Sequence, residues 1–370
     1  MSIPTLHPHE ALPRHLVKLI TAQAWGRVGQ ALLDGLLANL TYGQGQTLLG
    51  YVMDEMASCA PAGSCSAPQG PEWLIESFIN HGLADVADSE GATPVLRALR
   101  AGQWGWAQVL LAAGYACEPP EGLSAFHAIL EGRLNRRLKG VVSPGETIGD
   151  DNIALLSSRL NQDAPEEAER LQKVIQHLCE SGAGIDAARG YEADEADLRP
   201  VQVAVLYADV PVLSTLLLSG AWLDAKVDPG HDLDPTHPLI MAARVGGCEA
   251  LELVSRAMER RSFLLVGADA MHMAAAQGHL DCLRFLYAQG VCFGTPSPAD
   301  RFIPLHQACL HGRQETIDFL LAQGQNLHAE SQTGVSPGDL LCLHHPELAR
   351  QYGLVRPANV SPFPIRTSAP

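Results

Sequence analysis

The sequence predicts an all-α solenoid of stacked helix-turn-helix units, and a repeated phrase with its spacing leads to that fold class. The phrase occurs eight times, most clearly as IPLHQA at residues 303–308 and elsewhere in weaker forms. The positions equivalent to its proline are spaced by about 46, 31, 75, 38, 32, 34 and 33 residues, which indicates a unit of roughly 33 residues. Stacked units of this kind present one long surface, so the expected function is binding. The eight proline-equivalent positions are Leu48, Pro94, Ala125, Pro200, Pro238, Ala270, Pro304 and Pro337.

Each slot of the unit has a physical reason. Proline at the first helical position wastes no hydrogen bond, because that N–H has no partner within the helix. Thr93 and Ser336 stand just before it and are expected to cap their helices. Trp104 and Trp106 fall at second-helix positions that pack, so they are expected in the core. Glycines at the ends of second helices suit a left-handed stop, and they are Gly82, Gly114, Gly182, Gly220, Gly290 and Gly324.

The phrase resembles the ankyrin repeat, whose pattern is G-x-T-P-L-H-x-A-A, a G-H turn, an apolar helix and a Gly-Ala ending. The resemblance covers roughly residues 40–345 and is strongest in the units at 267–293 and 301–327. It implies an ankyrin-repeat solenoid with short β-hairpin-like fingers between the units, and partners that usually meet the finger tips and the inner helix face. It also implies that His127, His272 and His306 tie neighbouring turns by hydrogen bonds. The sixth unit matches at His272, Ala274, Ala275, Gly278, His279, Leu286 and Gly290.

Departures from the repeat set the expected domain organisation. Residues 1–40 are expected to form an N-terminal helical cap of two amphipathic helices, since the ends of a solenoid must be sealed. Residues 41–345 form the repeat domain, with insertions at about 58–71 and 133–165, and residues 346–370 form a C-terminal cap and extended tail. The second insertion is either an extended helix with a solvated loop or a partner-specific protrusion.

Long fingers are expected in three places. They are Tyr191–Asp197, Asp224–Asp234 and Met258–Leu265. The first two fingers carry eight carboxylates, which form either a solvated face or an acidic wall that steers a basic partner.

The inner helix face predicts a binding site. Leu206, Tyr207, Met241 and Met273 are expected to form one exposed apolar patch there, unless neighbouring fingers or the N-terminal segment cover it. Trp222 occupies a finger slot that is usually polar, which makes it a candidate for a dominant contact. The candidate partner-binding residues are Arg97, Arg100, Glu192, Asp194, Glu195, Leu206, Tyr207, Trp222, Met241, Arg244, Met273, Gln277, Leu310 and His311.

Composition excludes several classes of function. A net charge of −16 argues against a nucleic-acid partner and favours a protein, possibly with a basic surface. No apolar stretch approaches the length of a membrane span. The nine cysteines are interpreted as small buried residues of a reduced compartment, so the expectation is a cytoplasmic protein that is a monomer on its own.

Catalytic and ligand-binding motifs are missing from the sequence. It has no phosphate loop, no nucleophile elbow and no H-E-x-x-H helix, so the prediction is a non-enzyme without cofactors. Histidines and cysteines gather between His306 and His345, but no spacing there fits a zinc pattern and no metal is predicted.

Three hypotheses for function remain open. The first is a scaffold or adaptor that holds another protein through its concave groove and acidic fingers. The alternative is an inhibitor or immunity protein that neutralises a basic, bacterial toxin or effector enzyme. The third is an effector with an activity in the 133–165 insertion.

Overall fold

In a computed structural model of the chain, the regular secondary structure of the described residues is helical apart from two short strands. Two strands of two residues each, β1 (Thr41–Tyr42) and β2 (Gln46–Thr47), pair in an antiparallel arrangement just before the first repeat helix. The described residues are 14–34, 41–42, 46–58, 71–85, 87–88, 91–117, 124–138, 165–186, 198–223, 236–297, 301–332 and 334–354.

The chain divides into two compact units, Met1–Leu223 and Asp224–Pro370. In the first unit, α3, α5, α7 and α9 pack side by side as first helices of successive repeats, and α4, α6, α8 and α10 form a second layer. Two N-terminal helices continue the layers, because α1 packs on α3 and α2 packs on α4. The helices of this unit are α1 (Arg14–Thr21), α2 (Trp25–Leu33), α3 (Leu48–Ser58), α4 (Glu72–Asn80), α5 (Pro94–Arg100), α6 (Trp104–Ala112), α7 (Ala125–Leu138), α8 (Pro165–Glu180), α9 (Pro200–Leu206) and α10 (Val210–Leu218).

The second unit repeats the same two layers. Its first helices pack in the order α11, α13, α15 and α17, and its second helices α12, α14 and α16 follow the same order. These helices are α11 (Pro238–Val245), α12 (Cys248–Ala257), α13 (Arg260–Gln277), α14 (Leu280–Ala288), α15 (Pro304–Leu310), α16 (Gln314–Ala322), α17 (Pro337–His344) and α18 (Pro346–Gln351).

The predicted helix signals are confirmed at most positions. Seven of the eight proline-equivalent residues begin a helix, and Ala270 is the exception. The side chains of Thr93 and Ser336 accept hydrogen bonds from the backbone N–H groups of Leu96 and Asp339. All six predicted stop glycines have φ between 81° and 88°, the left-handed region that an L side chain adopts only with strain. The rings of Trp104 and Trp106 are fully buried, as expected.

Hairpin-like turns lie in the fingers that the structure describes. The N–H of Ser297 donates to the carbonyl of Phe302, and the N–H of Ser331 donates to the carbonyl of Val335. These bonds close each finger over four to five residues and return the chain to the next first helix. The fold is therefore the predicted solenoid of helical hairpins with short fingers.

The prediction of a finger at Met258–Leu265 is wrong. Residues 260–265 form the first turns of α13, which runs on without a break to Gln277. Because Ala270 replaces the usual proline, its N–H can join the helical hydrogen-bond ladder and the helix can extend toward the N-terminus. The extension leaves Leu264 and Leu265 exposed on its outer side.

Other predicted segments fall partly or wholly outside the described residues. Of the two predicted insertions, residues 59–70 and 139–164 lie outside, while α7 extends as far as Leu138. Residues 355–370 of the predicted tail and the fingers at 191–197 and 224–234 also lie outside. The two predicted N-terminal helices are present as α1 and α2.

Candidate partner-binding surface

The histidines of the repeated phrase fasten each finger to its first helix, as the resemblance implies. The Nε2 atoms of His272 and His306 lie 2.9 and 3.0 Å from the carbonyl oxygens of Thr295 and Val335, in the finger that follows each helix. His127 does the same across a longer stretch of chain, with Nε2 at 2.9 Å from the carbonyl of Leu198. Each of these three rings is therefore committed to the fold.

A second series of contacts fastens one repeat to the next in the second unit. The side chains of His279, Arg313 and His345 stand at the turns that precede second helices. A nitrogen atom of each side chain lies 2.9 to 3.0 Å from a carbonyl oxygen near the end of the first helix of the preceding repeat. These carbonyls belong to Arg244, Ala276 and Leu310. Since these carbonyls have no partner within their own helix, the contact satisfies them and fixes the distance between repeats.

Glycine makes these contacts possible. Gly246, Gly278 and Gly312 end the three first helices with positive φ, and the ring or side chain of the next repeat lies directly on each of them. A Cβ atom on Gly312 would come within 2.7 Å of Cε1 of His345. The first helices therefore end in a residue without a side chain, which leaves space for the turn residue of the following repeat.

The first helices of the second unit present the predicted inner face to solvent. Met273 and Leu310 are half-buried there, Gln277 is half-buried, and Arg244 and His311 are exposed. The order α11, α13, α15 places these residues on consecutive repeats. The face therefore offers methionine and leucine side chains beside hydrogen-bonding groups, which suits an adaptable protein contact.

Met241 does not belong to this surface. Its side chain is 1% exposed in the core of α11, so the expectation that it lines an exposed apolar patch is wrong. The first six residues of α11 are all buried, so the slot of Met241 is covered by its surroundings although Met273, in the same slot of the next repeat, is half-buried. A partner cannot reach Met241 without unfolding the repeat.

The predicted candidates of the first unit are less open than the sequence indicates. Arg97 is largely occupied, because its Nε donates to Asp88 at 2.6 Å and only 11% of the side chain is exposed. The Nε atom of Arg100 lies 3.6 Å from the Oε2 atom of Glu131. Leu206 and Tyr207 are both half-buried at the end of α9, where they remain accessible in part.

Trp222 is exposed as predicted, with 48% of its surface open to solvent. The guanidinium of Arg199 lies over its ring at 4.9 Å from the centroid, and its backbone N–H donates to Asp186 at 2.9 Å. The cation holds the indole in place without covering it. The predicted acidic contacts Glu192, Asp194 and Glu195 lie outside the described residues.

Two residues of this face were missed by the sequence prediction. Arg313 occupies a turn slot that reads as purely structural, yet its Nη2 atom also reaches the side-chain oxygen of Gln277 at 3.3 Å. His344 is exposed at the end of α17, in the slot that corresponds to His311. The signal for both was the spacing from the proline position, which holds in the last repeat as in the earlier ones.

Electrostatics distinguish two ionisable groups of the second unit. Burial, together with the neighbouring cations Arg313, His345 and His344, lowers the pKa of His311. Burial raises the pKa of Asp269 to about 6, because removal from water disfavours the charged carboxylate.

The described residues show no sign of a metal centre or a membrane span. Among them, no three or more histidine, cysteine, aspartate or glutamate side chains gather as metal ligands would. No helix in the described ranges combines the length and the apolar character that crossing a bilayer requires.

Comparisons with known proteins find ankyrin repeats in the second unit. A family model described as ankyrin repeats (3 copies) matches residues 239–331, which span α11 to the finger after α16. The chain is similar to protein phosphatase 1 regulatory subunit 27 of Homo sapiens, with 29% identity over 107 residues that make up 28% of this chain and 69% of that protein. The ankyrin repeat domain of human ASB11 superposes with a TM-score of 0.46 and 18% identity, over 72% of this chain and 100% of that domain.

Proposed function

Because this chain belongs to the ankyrin-repeat proteins, we propose that it is a scaffold or adaptor that holds a partner protein on the first-helix face of its second unit. The chain is a protein-interaction module, and the proposal adds where the partner binds and that the chain has no catalysis of its own. One observation carries it. Met273, Gln277, Leu310 and His311 stand on consecutive repeats with part of each side chain open to solvent.

The histidines that could suggest chemistry support the same conclusion. His272 and His306 are bound to backbone carbonyls of the fingers, and His345 is bound to the carbonyl of Leu310. A general base must be free to approach a substrate proton, and these rings are held by the fold instead. What remains on the surface are groups that contact a partner.

Further contacts are proposed for the first unit. Trp222 offers a large, partly immobilised ring, and Leu206 and Tyr207 offer half-buried apolar surface. The acidic residues Glu192, Asp194 and Glu195 would attract a basic surface on the partner, in keeping with the net charge of −16. We assign such steering to the rate of association more than to the lifetime of the complex.

The test is a pair of charges placed in the proposed interface. Met273→Asp combined with Leu310→Asp should weaken partner binding by about thirtyfold or more, which corresponds to the loss of one or two dominant contacts. The partner is captured with the tagged full chain from the cell of origin, identified by mass spectrometry, and then purified for calorimetric titration. A circular dichroism melt of each variant checks that the repeats remain folded.

Leu218→Asp provides the matched control. Leu218 is 81% exposed on the second helix α10, so it tests a charge on an open leucine away from the first-helix face. Its binding should equal that of the unchanged chain. Equal binding of the Met273 and Leu310 variant would remove the proposed face.

A second candidate function is an inhibitor or immunity protein that regulates an enzyme, such as a toxin. The likeness to a protein named as a phosphatase regulatory subunit favours it. If it holds, the captured partner is an enzyme and adding the purified chain lowers its turnover in a saturable manner. An enzyme whose turnover is unchanged when fully bound would favour the scaffold.

We also propose that the chain works as a monomer in the cytoplasm. The seven cysteines within the described ranges are free thiols, and burial raises the pKa of Cys282 and Cys309 to about 12. Such thiols are inert packing groups in keeping with a reducing compartment. Analytical ultracentrifugation of the purified chain tests the monomer, and fractionation of the source cell tests the compartment.

A further inference from the structure

Four consecutive repeats of the second unit carry a hydrogen-bonding side chain within one residue of the C-terminal end of the first helix, at the seventh position after the proline slot in three repeats and at the sixth position, Arg244, in α11. Arg244, His311 and His344 are exposed, and Gln277 is half-buried. We call these four residues the terminal row. Arg313 lies beside it, since its guanidinium reaches both the carbonyl of Ala276 and the amide of Gln277. Every member of the row, and Arg313 with it, can donate a hydrogen bond to an anion.

In the described part of this unit, the last turns of the first helices are free of carboxylates, whereas the first turns of the second helices that follow carry one each, namely Glu249, Asp281, Glu315 and Glu347. The last turns of α11, α13, α15 and α17 carry none, and the two carboxylates of these first helices are Asp269 and Asp339. Asp269 lies next to the proline-equivalent position, and Asp339 is held by the hydroxyl and N–H of Ser336. The other described acidic residues lie on second helices, at a helix cap or in a finger, and they are Glu249, Glu252, Glu259, Asp281, Glu315, Asp318, Glu330 and Glu347.

The surroundings of His311 show the same polarity. The charged groups that act on its ring are Arg313, His345 and His344, and all of them are cationic when protonated. Helix C-termini carry a partial negative charge of roughly half an electron each, which alone would repel an anion. The full charges of Arg244 and Arg313 exceed that effect, and the carbonyls nearest them are already bound by His279, Arg313 and His345.

Apolar groups accompany the row. Met273, Leu310 and Leu343 are half-buried on the same helices, about one turn or one residue before the row. Packed helices lie about 8–10 Å apart, so the three steps from Arg244 to His344 span about 24–30 Å. An extended chain covers that distance with about seven to nine residues.

We propose that the terminal row binds a short, extended acidic segment of the partner, with its carboxylates on Arg244, Arg313 and His344 and its apolar side chains on Met273 and Leu310. This inference rests on the proposed function, because it names the chemistry of the partner at that same face. It differs from the basic surface proposed for the first unit. A partner that binds both units would carry a basic surface for the first unit and a separate acidic segment for the second.

The experiment selects peptides without knowledge of the partner. A phage library of random 12-residue peptides is panned against the immobilised full chain, and enriched sequences are synthesised for fluorescence anisotropy. We expect enrichment in aspartate and glutamate with interspersed apolar residues, and weaker binding at higher salt. Arg244→Glu with His344→Glu should weaken the selected peptide by about tenfold or more.

Two further variants keep the outcome interpretable. Arg244→Met with His344→Gln retains side-chain volume and should weaken binding by about threefold, in case the charge reversal disturbs the fold. Arg256→Glu reverses an exposed charge on the second helix α12 and should leave binding unchanged. Circular dichroism melts accompany all three variants.

The outcomes separate this inference from the proposed function. The inference is overturned if the panning enriches basic or uncharged peptides, or enriches none. It is also overturned if the selected acidic peptides bind the row variants as tightly as the unchanged chain. If Met273→Asp with Leu310→Asp weakens binding of the natural partner while the charge reversal does not, the binding face is supported and the acidic segment is rejected. If neither change affects the natural partner, the proposed function itself fails.

Discussion

The third repeat of the first unit and the repeats of the second unit differ in how the end of a first helix contacts the turn of the next repeat. In the second unit, a glycine ends the first helix, and His279, Arg313 or His345 of the next repeat donates to the exposed carbonyls behind it. In α7 the corresponding glycine position is Arg133, and the helix continues to Leu138. The turn slot of the following repeat is Asp209 instead of a basic residue.

The charges across this contact are therefore reversed. Arg133 donates from Nε and Nη2 to the two oxygens of Asp209 at 2.5 and 3.0 Å, and the pair is almost fully buried, with 3% and 1% of the side chains exposed. A first helix without its glycine stop has no open carbonyls at that point, so a donor in the turn slot would have nothing to bind. The comparison teaches that the helix stop and the turn residue change together.

Removal of Arg133 should have the largest effect. Arg133→Met leaves the Asp209 carboxylate buried without its cation, which should cost about 3–5 kcal/mol of unfolding free energy. Urea denaturation followed by circular dichroism measures it.

The double variant Arg133→Met with Asp209→Asn is the control. It keeps a side chain that can accept from the N–H of Val212, so it should recover a good part of the loss. A double variant as unstable as Arg133→Met alone would show that packing, and not the unpaired carboxylate, accounts for the effect.

Replacement of a stop glycine should have an intermediate effect that depends on the neighbouring repeat. Gly312→Ala should cost about 2 kcal/mol, because it combines left-handed strain with displacement of His345 from the carbonyl of Leu310. Gly324→Ala shares the positive φ, yet a Cβ there would meet nothing within 4 Å, so it should cost about 1 kcal/mol. Equal losses in thermal melts of the two variants would mean that the contact between repeats adds no stability.

Asp269→Asn should have the smallest effect, and it should be stabilising. The pKa of Asp269 is about 6 in the folded chain and about 3.9 in an unfolded one. The folded state thus retains the proton longer, and stability falls as the pH rises between these values. Solvent screening of the half-exposed carboxyl reduces a nominal 3 kcal/mol to about 1–2 kcal/mol.

The pH dependence checks the sign of that effect. The stabilisation by Asp269→Asn should be present above pH 6 and vanish near pH 4, where both forms of residue 269 are neutral in the folded chain. Thermal melts at several pH values measure it. A gain that is equal at pH 4 and pH 7.5 would point to packing instead of ionisation.

Sequence periodicity predicted the solenoid, the helix starts at Pro94, Pro200, Pro238, Pro304 and Pro337, and the six glycine stops. These features depend on local backbone chemistry, which a repeated pattern reveals directly. The exposure of individual side chains was harder to predict. Met241 shares its slot with Met273, yet only Met273 is partly open, because burial depends on the neighbouring repeat and not on the slot alone.

The long helix α13 and the Arg133–Asp209 pair were missed for a related reason. Both arise where a slot of the repeat loses its usual residue, the proline at Ala270 and the glycine at Arg133. A missing signal leaves the local structure open, and contacts with residues far along the chain then decide it. The binding residues stay a prediction, since the surface that a partner selects depends on the partner.

Hydrogen exchange with and without the captured partner tests the central claim most directly. Partner binding on the first-helix face predicts slower amide exchange in 270–278 and 304–312, with little change in the second helices at 280–288 and 314–322. Mass spectrometry of peptic fragments resolves these segments. Protection confined to the second helices, or to the first unit alone, would contradict the account.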